Sequence, residues 1–342
     1  MPSKKQAKPL PKSKAPKLVA AKATKPQPKV AAKGAKASVP PPKPSKPAKA
    51  VKAVKPLPIK RVSTPARRPT LPPPPKPLTM EERVQKAEER LAKADDEFRA
   101  RYQENLDMSW IYHDSAIEGV VYTFEELKTA SDPAATLSAD SSMQPVCEEI
   151  RRHREALAYI RDFAEKKRLP ITVDLIKKLY LILHPEEGDI KTVRYRKDIP
   201  QHRLYFHEYA APDKITYKVR QVIDWTNDPE TRKSRSALRL AARAHYDLLR
   251  VFPFANDSGK VARLFMNLLL LRAGYPPAIV HSTERQRYYE ALKGSSSAMT
   301  QIIQEAVENN LASVEKLLAT YDAKMNPPPP PPDSTPPPPA DD

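Results

Sequence analysis

Apolar residues recur every three to four positions through most of residues 79–325, which is the spacing of helices that bury one face. The first series predicts one long amphipathic helix, with apolar positions at Val84, Ala87, Leu91, Phe98 and Tyr102. Further helical periods cover residues 107–118, 146–167, 173–184, 213–226, 235–251, 259–273 and 283–319. The pattern therefore predicts an all-α domain, with a Ser-, Ala- and Asp-rich loop at 129–144.

Two capping boxes and one glycine mark helix ends. Thr79 with Glu82, and Thr123 with Glu126, have the spacing in which each side chain satisfies a free backbone N–H group near the other. These pairs predict helices that begin directly after the two threonines. Gly119 follows the period of 107–118 and is expected to stop that helix.

Helical spacing is lost between residues 193 and 211. Within this segment Arg203–Phe206, reading RLYF, is the kind of sequence that forms one arm of a β-hairpin. We therefore expect a small β-hairpin flap inserted in the helical domain.

Both ends of the chain differ from the middle in composition. Residues 1–80 hold 21 Lys or Arg, no Asp or Glu, and 20 of the 40 prolines, so the formal net charge of +18 arises at this end. We predict that residues 1–78 are disordered, because they cannot bury enough apolar surface to offset the entropy of ordering. The prolines at 327–332 and 336–339 predict a second disordered tail, 326–342.

The basic tail has two open interpretations. A run of cations without acids attracts a polyanion such as nucleic acid or an anionic membrane surface, or it only keeps the chain solvated. Residues 1–78 contain no aromatic side chain, so base stacking is not expected. The proline runs fit either docking to SH3-like or profilin-like partners or spacers, and we favour spacers.

The chain contains a single cysteine, Cys147, so an intrachain disulfide is excluded and a reducing, cytoplasmic compartment is predicted. The longest strongly apolar run, 264–271, is too short to span a bilayer and contains Asn267. The seven histidines lack metal-ligand spacing, and we predict no metal site.

The polar loop Asn256–Gly259 leads into a predicted helix. Free N–H groups and the helix dipole attract anions to such a start. Lys260 and Arg263 lie in the first turns, where two cations are disfavoured unless an anion is present. Two interpretations stay open: an anion site, or a helix capped by Asp257 or Ser258 whose cations extend into water.

Residues 252–263 read FPFANDSGKVAR, which resembles the motif HPFx(D/E)GNGRxxR of the Fic (Fido) family. Residues 267–277, NLLLLRAGYPP, and 287–292, RYYEAL, resemble the family's continuation, whose tyrosines lie near the nucleotide base. For Tyr288 and Tyr289 the alternative of half-buried packing is equally open. The resemblance implies N-terminal helices at 79–145, a Fic-like core at 146–325, and transfer of a nucleotide, usually AMP, to a hydroxyl group.

In the family, the motif histidine is the general base and the acidic residue binds magnesium. The resemblance places Phe252 at the histidine position, where its ring cannot accept a proton. Asn256 replaces the magnesium carboxylate with a weaker, neutral ligand. Asp257 places a side chain and a negative charge where the family has glycine.

The phosphate-binding part of the motif is better kept. Ser258 replaces the asparagine of the family's G-N-G, whereas Gly259 matches its second glycine. Arg263 matches the second arginine, and Lys260 keeps the charge of the first but loses its forked geometry. ATP with magnesium is therefore expected to bind weakly.

Loss of a general base costs ~10²–10⁴ in rate. We therefore predict a catalytically impaired module that binds a nucleotide or phosphate and has no catalytic residue. Its predicted ligand contacts are Asn256, Ser258, Gly259, Lys260, Arg263, Tyr288 and Tyr289. The alternative is an active nucleotidyltransferase with atypical catalytic residues, for which Asp257 is a poor base because a solvated carboxyl group has a pKa of about 3.9.

Residues 114–119, DSAIEG, resemble the family's inhibitory helix, whose glutamate pairs with the second motif arginine. The resemblance therefore pairs Glu118 with Arg263. The alternative is an ordinary surface salt bridge, worth ~0–1 kcal/mol. Residues near His207 resemble the flap that aligns a protein target by strand addition, so a protein target is the expected partner.

Overall fold

The computed structural model describes residues 76–135, 141–200 and 208–326, which form eleven α-helices and contain no β-strand. In chain order the helices are α1 (Met80–Lys93), α2 (Asp96–Glu118), α3 (Phe124–Ser131), α4 (Gln144–Glu165), α5 (Val173–Leu183), α6 (Ile215–Asn227), α7 (Pro229–Ser234), α8 (Ala237–Val251), α9 (Ser258–Arg272), α10 (Arg285–Lys293) and α11 (Ser296–Met325). The prediction of an all-α fold is confirmed. The predicted hairpin arm at 203–206, the flap residue His207 and nearly all of both predicted tails lie outside the described residues.

Helix α9 lies at the centre of the fold. Every residue from Ser258 to Leu270 is buried, because neighbouring helices pack around this helix. Helices α8, α4 and α5 pack against it. The loop that precedes α9 is therefore held by a rigid core.

The predicted helix ends at Thr79, Thr123 and Gly119 are confirmed. Both threonine side chains accept hydrogen bonds from the backbone N–H three residues later, and both glutamates accept in return. Gly119 follows α2 in the left-handed conformation, with φ 101°, which glycine adopts without steric cost. This glycine fixes the position of α2's last residue, Glu118.

The single long helix predicted from Val84 to Tyr102 is wrong. Helix α1 ends at Lys93, and the next helix starts at Asp96 and continues to Glu118. The carboxylate of Asp95 accepts a hydrogen bond from the N–H of Phe98 at 2.7 Å and so caps the new helix. The apolar spacing continues across this break and therefore did not indicate it.

Two other boundaries differ from the prediction. The helical segment predicted at 283–319 forms two helices, α10 and α11. Gly294 and Ser295 separate them, and the Ser295 side chain caps α11. The short helix α7 was not predicted, and Asp228 caps it. Within the described ranges, no helix is long and apolar enough to cross a membrane.

Candidate functional site

The chain leaves α8 in a left-handed turn at Phe252, which has φ 49° and ψ 68°. The Phe252 ring is buried, and it packs edge-on against the ring of Tyr209 with 5.2 Å between centroids. A positive φ is uncommon for a bulky residue, so packing must hold this turn in place. The ring offers no atom that accepts a proton.

Arg196 fixes the same turn through its buried guanidinium group. It donates hydrogen bonds to the carbonyl oxygens of Phe252 at 2.6 Å and Val251 at 3.0 Å. These carbonyls end α8, where the helix dipole attracts a cation. A third bond reaches the carbonyl of Ala210 at 2.5 Å and joins the turn to the chain beyond residue 207.

Contacts of Phe254 and Ser258 hold the loop after this turn in place. The fully buried ring of Phe254 stacks on that of Tyr180, with 4.0 Å between centroids. The hydroxyl of Ser258 accepts from the N–H of Phe254 at 2.8 Å and donates to the carbonyl of Phe254 at 2.9 Å. Ser258 therefore holds the loop together rather than capping α9.

Asp257 precedes α9 in the left-handed conformation, with φ 47°, and makes no capping hydrogen bond. Its carboxylate lies 2.7 Å from Nε2 of His184 and 3.2 Å from Nζ of Lys260. Burial acts to raise the pKa of Asp257, but the His184 hydrogen bond and the Lys260 charge outweigh burial and hold that pKa well below its usual range. Asp257 is therefore a weak base.

Lys260 and Arg263 do not extend into water, so that alternative is wrong. Lys260 is 3% exposed, and its Nζ lies 2.9 Å from a carboxylate oxygen of Glu149. Burial acts to lower the pKa of Lys260, but Asp257 and Glu149 outweigh burial and raise it. The ammonium group therefore stays charged inside the protein.

Arg263 is 2% exposed and pairs with two carboxylates of α2. Its Nε donates to the carboxylate of Asp114, and its Nη2 donates to Oε1 of Glu118 at 2.7 Å. The contact between α2 and α9 is therefore not a surface salt bridge. The two helices share a buried ionic contact.

The Glu118 carboxylate lies directly over Gly259. A Cβ atom on Gly259 would be 2.0 Å from Oε1 of Glu118 and 3.0 Å from Nη1 of Arg263. Only glycine leaves room for a carboxylate at this distance from the helix backbone. A carboxylate therefore occupies the start of α9, where backbone N–H groups and the helix dipole favour an anion.

Comparison with known proteins agrees with this fold. Residues 170–270 match the model of the Fic/DOC family. The fold is also similar to a Fic-domain signalling protein of Bacteroides thetaiotaomicron, with TM-score 0.55, 21% identity, and coverage of 70% of this chain and 97% of that chain. Fic-1 of Caenorhabditis elegans gives TM-score 0.54 and 21% identity, covering 71% and 73% of the two chains. The chain contains a Fic domain.

Sequence relatives of the Fic domain carry the name protein adenylyltransferase. The protein from Nematostella vectensis is 30% identical over 184 residues, and the match spans 53% of this chain and 42% of the relative. The relative from Caenorhabditis elegans is 26% identical over 192 residues, spanning 54% and 35%. The chain therefore spans less than half the length of these relatives.

Four of the predicted contact residues meet at the start of the Fic domain's central helix. Ser258, Gly259, Lys260 and Arg263 lie there together, and Glu118 faces them from α2. Asn256 is exposed in the preceding loop.

Tyr288 and Tyr289 are buried and bonded to the protein. The hydroxyl of Tyr288 lies 2.8 Å from Nε2 of His245, and that of Tyr289 donates to the carbonyl of Ile117 at 2.8 Å. Burial, with the nearby Arg263 charge, lowers the pKa of His245 to about 3, so this histidine is a neutral core residue. Nucleotide contact by the two tyrosines stays a prediction.

Sequence reasoning missed two charged groups at this site, His184 and Glu149. His184 follows α5, and its two ring nitrogens lie 2.7 Å from Asp257 and 2.9 Å from Glu186. The Asp257 hydrogen bond raises the pKa of His184 against the effect of burial. Both side chains reach the loop only through tertiary packing, so no local signal identified them.

The described residues contain no group of three His, Cys, Asp or Glu side chains arranged to hold a metal ion. Hard cations such as Mg²⁺ prefer carboxylate oxygens. Asp257 is engaged by His184 and Lys260, and Asn256 offers only a neutral amide oxygen. The loop in this arrangement does not fit a protein-bound magnesium ion.

Proposed function

We propose that the Fic domain of this chain is a catalytically impaired module that binds a nucleotide or phosphate and is held closed by Glu118. The observation that carries the proposal is the buried ring of Phe252, at the position where the motif resemblance expects the general base. A reaction that needs a hydroxyl proton removed has no acceptor there. Loss of such a base costs ~10²–10⁴ in rate.

Binding is proposed on the other side of the loop. Lys260 and Arg263 are buried cations at a helix start, where anions are favoured. Phosphate oxygens would bond these cations once the Glu118 carboxylate moved away from Gly259. Glu118 thus competes with the ligand, and this competition is the proposed autoinhibition.

A second candidate is an active nucleotidyltransferase with an unusual base. The relatives named adenylyltransferases and the contact between His184 and Asp257 favour it. However, both nitrogens of His184 face carboxylates, and its raised pKa favours the charged form, which cannot accept a proton. His184 acts as a base only if one of these contacts opens.

Label transfer from ATP carrying the label in its α-phosphate tests both candidates. The full-length Glu118→Ala variant is expected to bind ATP at least about tenfold more tightly than the wild type, because the competing carboxylate is gone. It should transfer no label to candidate proteins or to itself. Glu125→Ala is the matched control, since it removes an exposed glutamate of α3 that is not among the groups nearest to Gly259.

Transfer by Glu118→Ala at enzymatic rates contradicts the impaired module. If His184→Asn then abolishes that transfer without weakening ATP binding, the second candidate is correct. If Glu118→Ala neither transfers label nor binds ATP more tightly, both candidates fail.

Partners and location extend this proposal. We propose that a protein target reaches the domain near His207, as in the flap that the sequence resembles, and that the basic segment 1–78 attracts polyanions in a cytoplasmic setting. Deleting residues 1–75 should abolish salt-sensitive binding to heparin and leave the helical fold unchanged.

A further inference from the structure

A cavity of about 690 Å³ lies between α5, α6 and residues 193–197. It does not include the start of α9. Among the described residues, its charged lining consists of five cations and one carboxylate, namely Lys177, Arg194, Arg196, Lys197, Arg220 and Asp174. Such an excess of one charge in a concave site produces a strong positive potential.

Three of these cations have no ionic partner among the described residues. Arg194, Lys197 and Arg220 are exposed and form no salt bridge there. Other surface arginines of the chain do find carboxylates, as Arg83 does with Glu315 at 2.7 Å. An anion that enters the cavity therefore meets three cations that no described carboxylate holds in a salt bridge.

Arg196 adds a buried positive charge to the cavity wall. Its guanidinium donates to backbone carbonyls, including that of Asp198 at 2.8 Å, and no salt bridge to a carboxylate is found in the described part of the chain. Burial lowers its pKa, yet an arginine stays charged under such conditions. Carbonyl groups stabilise this charge without cancelling it.

The volume and the cations define the chemical class of ligand. The cavity has the size of small-molecule sites, and several cations around one space match an anion with several charged groups. Tyr195 is the only aromatic residue of the lining in the described part of the chain, and its ring lies 5.9 Å from Nζ of Lys177 and 5.6 Å from the Phe254 ring. It offers little open surface for stacking a nucleic-acid base.

We propose that this cavity binds a small anion that carries two or more phosphate groups. The site is separate from the start of α9 and does not depend on the function proposed there. Because Arg196 also holds the carbonyls of Val251 and Phe252, an anion in the cavity lies next to the contact that fixes the motif turn.

Isothermal titration of the full-length chain with inorganic tripolyphosphate tests the proposal. Arg220→Glu should weaken the cavity's binding by about tenfold or more, because it replaces an attraction with a repulsion. Lys218→Glu is the matched control: it makes the same charge change at an exposed position of α6, but it lines a different cavity. It should change the affinity by less than about twofold.

A second measurement separates the cavity from the basic segment 1–78. A ligand bound only to the folded state raises the urea concentration at the unfolding midpoint, whereas one that binds the folded and unfolded chains equally does not. Tripolyphosphate should therefore raise the midpoint of the wild type and of Lys218→Glu, and much less that of Arg220→Glu.

Equal affinities and midpoints for the two variants overturn the proposal. So does a single-stranded oligonucleotide that binds more tightly than tripolyphosphate and depends on Arg220, because the site would then be a nucleic-acid surface. Tighter tripolyphosphate binding by Glu118→Ala, with Arg220→Glu unaffected, would instead place the anion at the start of α9.

Discussion

Different interactions hold the two sides of the loop before α9 in place. On the side of Phe252, aromatic rings pack against each other and exclude water. On the side of Arg263, a buried cation forms salt bridges with carboxylates. The first side carries Phe252 where the motif resemblance expects a general base, and the second carries Lys260 and Arg263 where it expects cations.

This difference determines what a ligand can do. An anion with phosphate groups competes with a carboxylate for the same cation, because both offer oxygen atoms to the same donors. No such ligand replaces the ring of Phe252, whose place depends on apolar packing and a backbone turn. The proposed function therefore requires the charged side to open, whereas the aromatic side is expected to stay closed.

The largest expected effect is the loss of Arg263. Arg263→Leu leaves the carboxylates of Asp114 and Glu118 without their cation, and breaking a buried pair in this way costs about 3–5 kcal/mol. Phe252→Leu, on the aromatic side, keeps an apolar side chain and should cost less than about 1.5 kcal/mol. Urea unfolding of both variants measures the difference, and a cost below about 1 kcal/mol for Arg263→Leu contradicts it.

Gly259→Ala tests whether Glu118 occupies the start of α9. In the wild type the new methyl group meets the Glu118 carboxylate, and overpacking costs about 1–3 kcal/mol. In a Glu118→Ala background the same change should stabilise the protein by up to about 1 kcal/mol, because alanine favours a helix more than glycine does. A double-mutant cycle measures this change of sign.

A Gly259→Ala effect of the same sign and size in both backgrounds contradicts the close approach of Glu118. Gly294→Ala is a suitable control in both backgrounds, since no Glu118 atom is among the nearest neighbours of its Cβ position.

The sequence predicted the helices well because their apolar spacing is local. Capping pairs such as Thr79 with Glu82 located helix starts, since the contact spans three residues. The break at Asp95 was missed, because the spacing from Leu91 to Phe98 also suits one continuous helix. Local sequence rules therefore located the helices. They failed where the same apolar spacing continues through two consecutive helices.

The site was predictable only where a resemblance supplied long-range information. The pairing of Glu118 with Arg263 joins residues 145 positions apart and came from the motif of the inhibitory helix. The contacts of His184 with Asp257 and of Lys260 with Glu149 span 73 and 111 positions. Nothing in composition or periodicity brings those pairs together, because tertiary packing alone creates them.

The contact between His184 and Asp257 predicts a pH-dependent contribution to stability. The folded pKa of His184 is raised, so its contribution is fully present below the ordinary pKa of about 6.5 and is lost as pH rises through the folded value. The folded pKa of Asp257 is lowered, so Asp257 stays ionised throughout this window. His184→Asn should therefore cost about 1–2 kcal/mol at pH 6 and clearly less at pH 9.

Urea unfolding of the wild type and His184→Asn at both pH values gives these differences. Asp257→Asn is the companion variant, because it removes the main partner that raises the His184 pKa and should reduce the pH dependence. A cost that is constant or grows with pH would mean that His184 is neutral in the folded protein, which favours the active-transferase candidate.

The smallest expected effect on stability is that of Asn256→Asp, which sharpens the contrast between the two sides of the loop. Asn256 is exposed, so the free energy of unfolding should change by less than about 0.5 kcal/mol. In the Glu118→Ala background the new carboxylate should make ATP binding depend more strongly on magnesium, because Mg²⁺ prefers a charged oxygen ligand. If magnesium changes the affinity for ATP equally with and without the Asn256→Asp substitution, then phosphate binding at this loop is set by Lys260 and Arg263 alone.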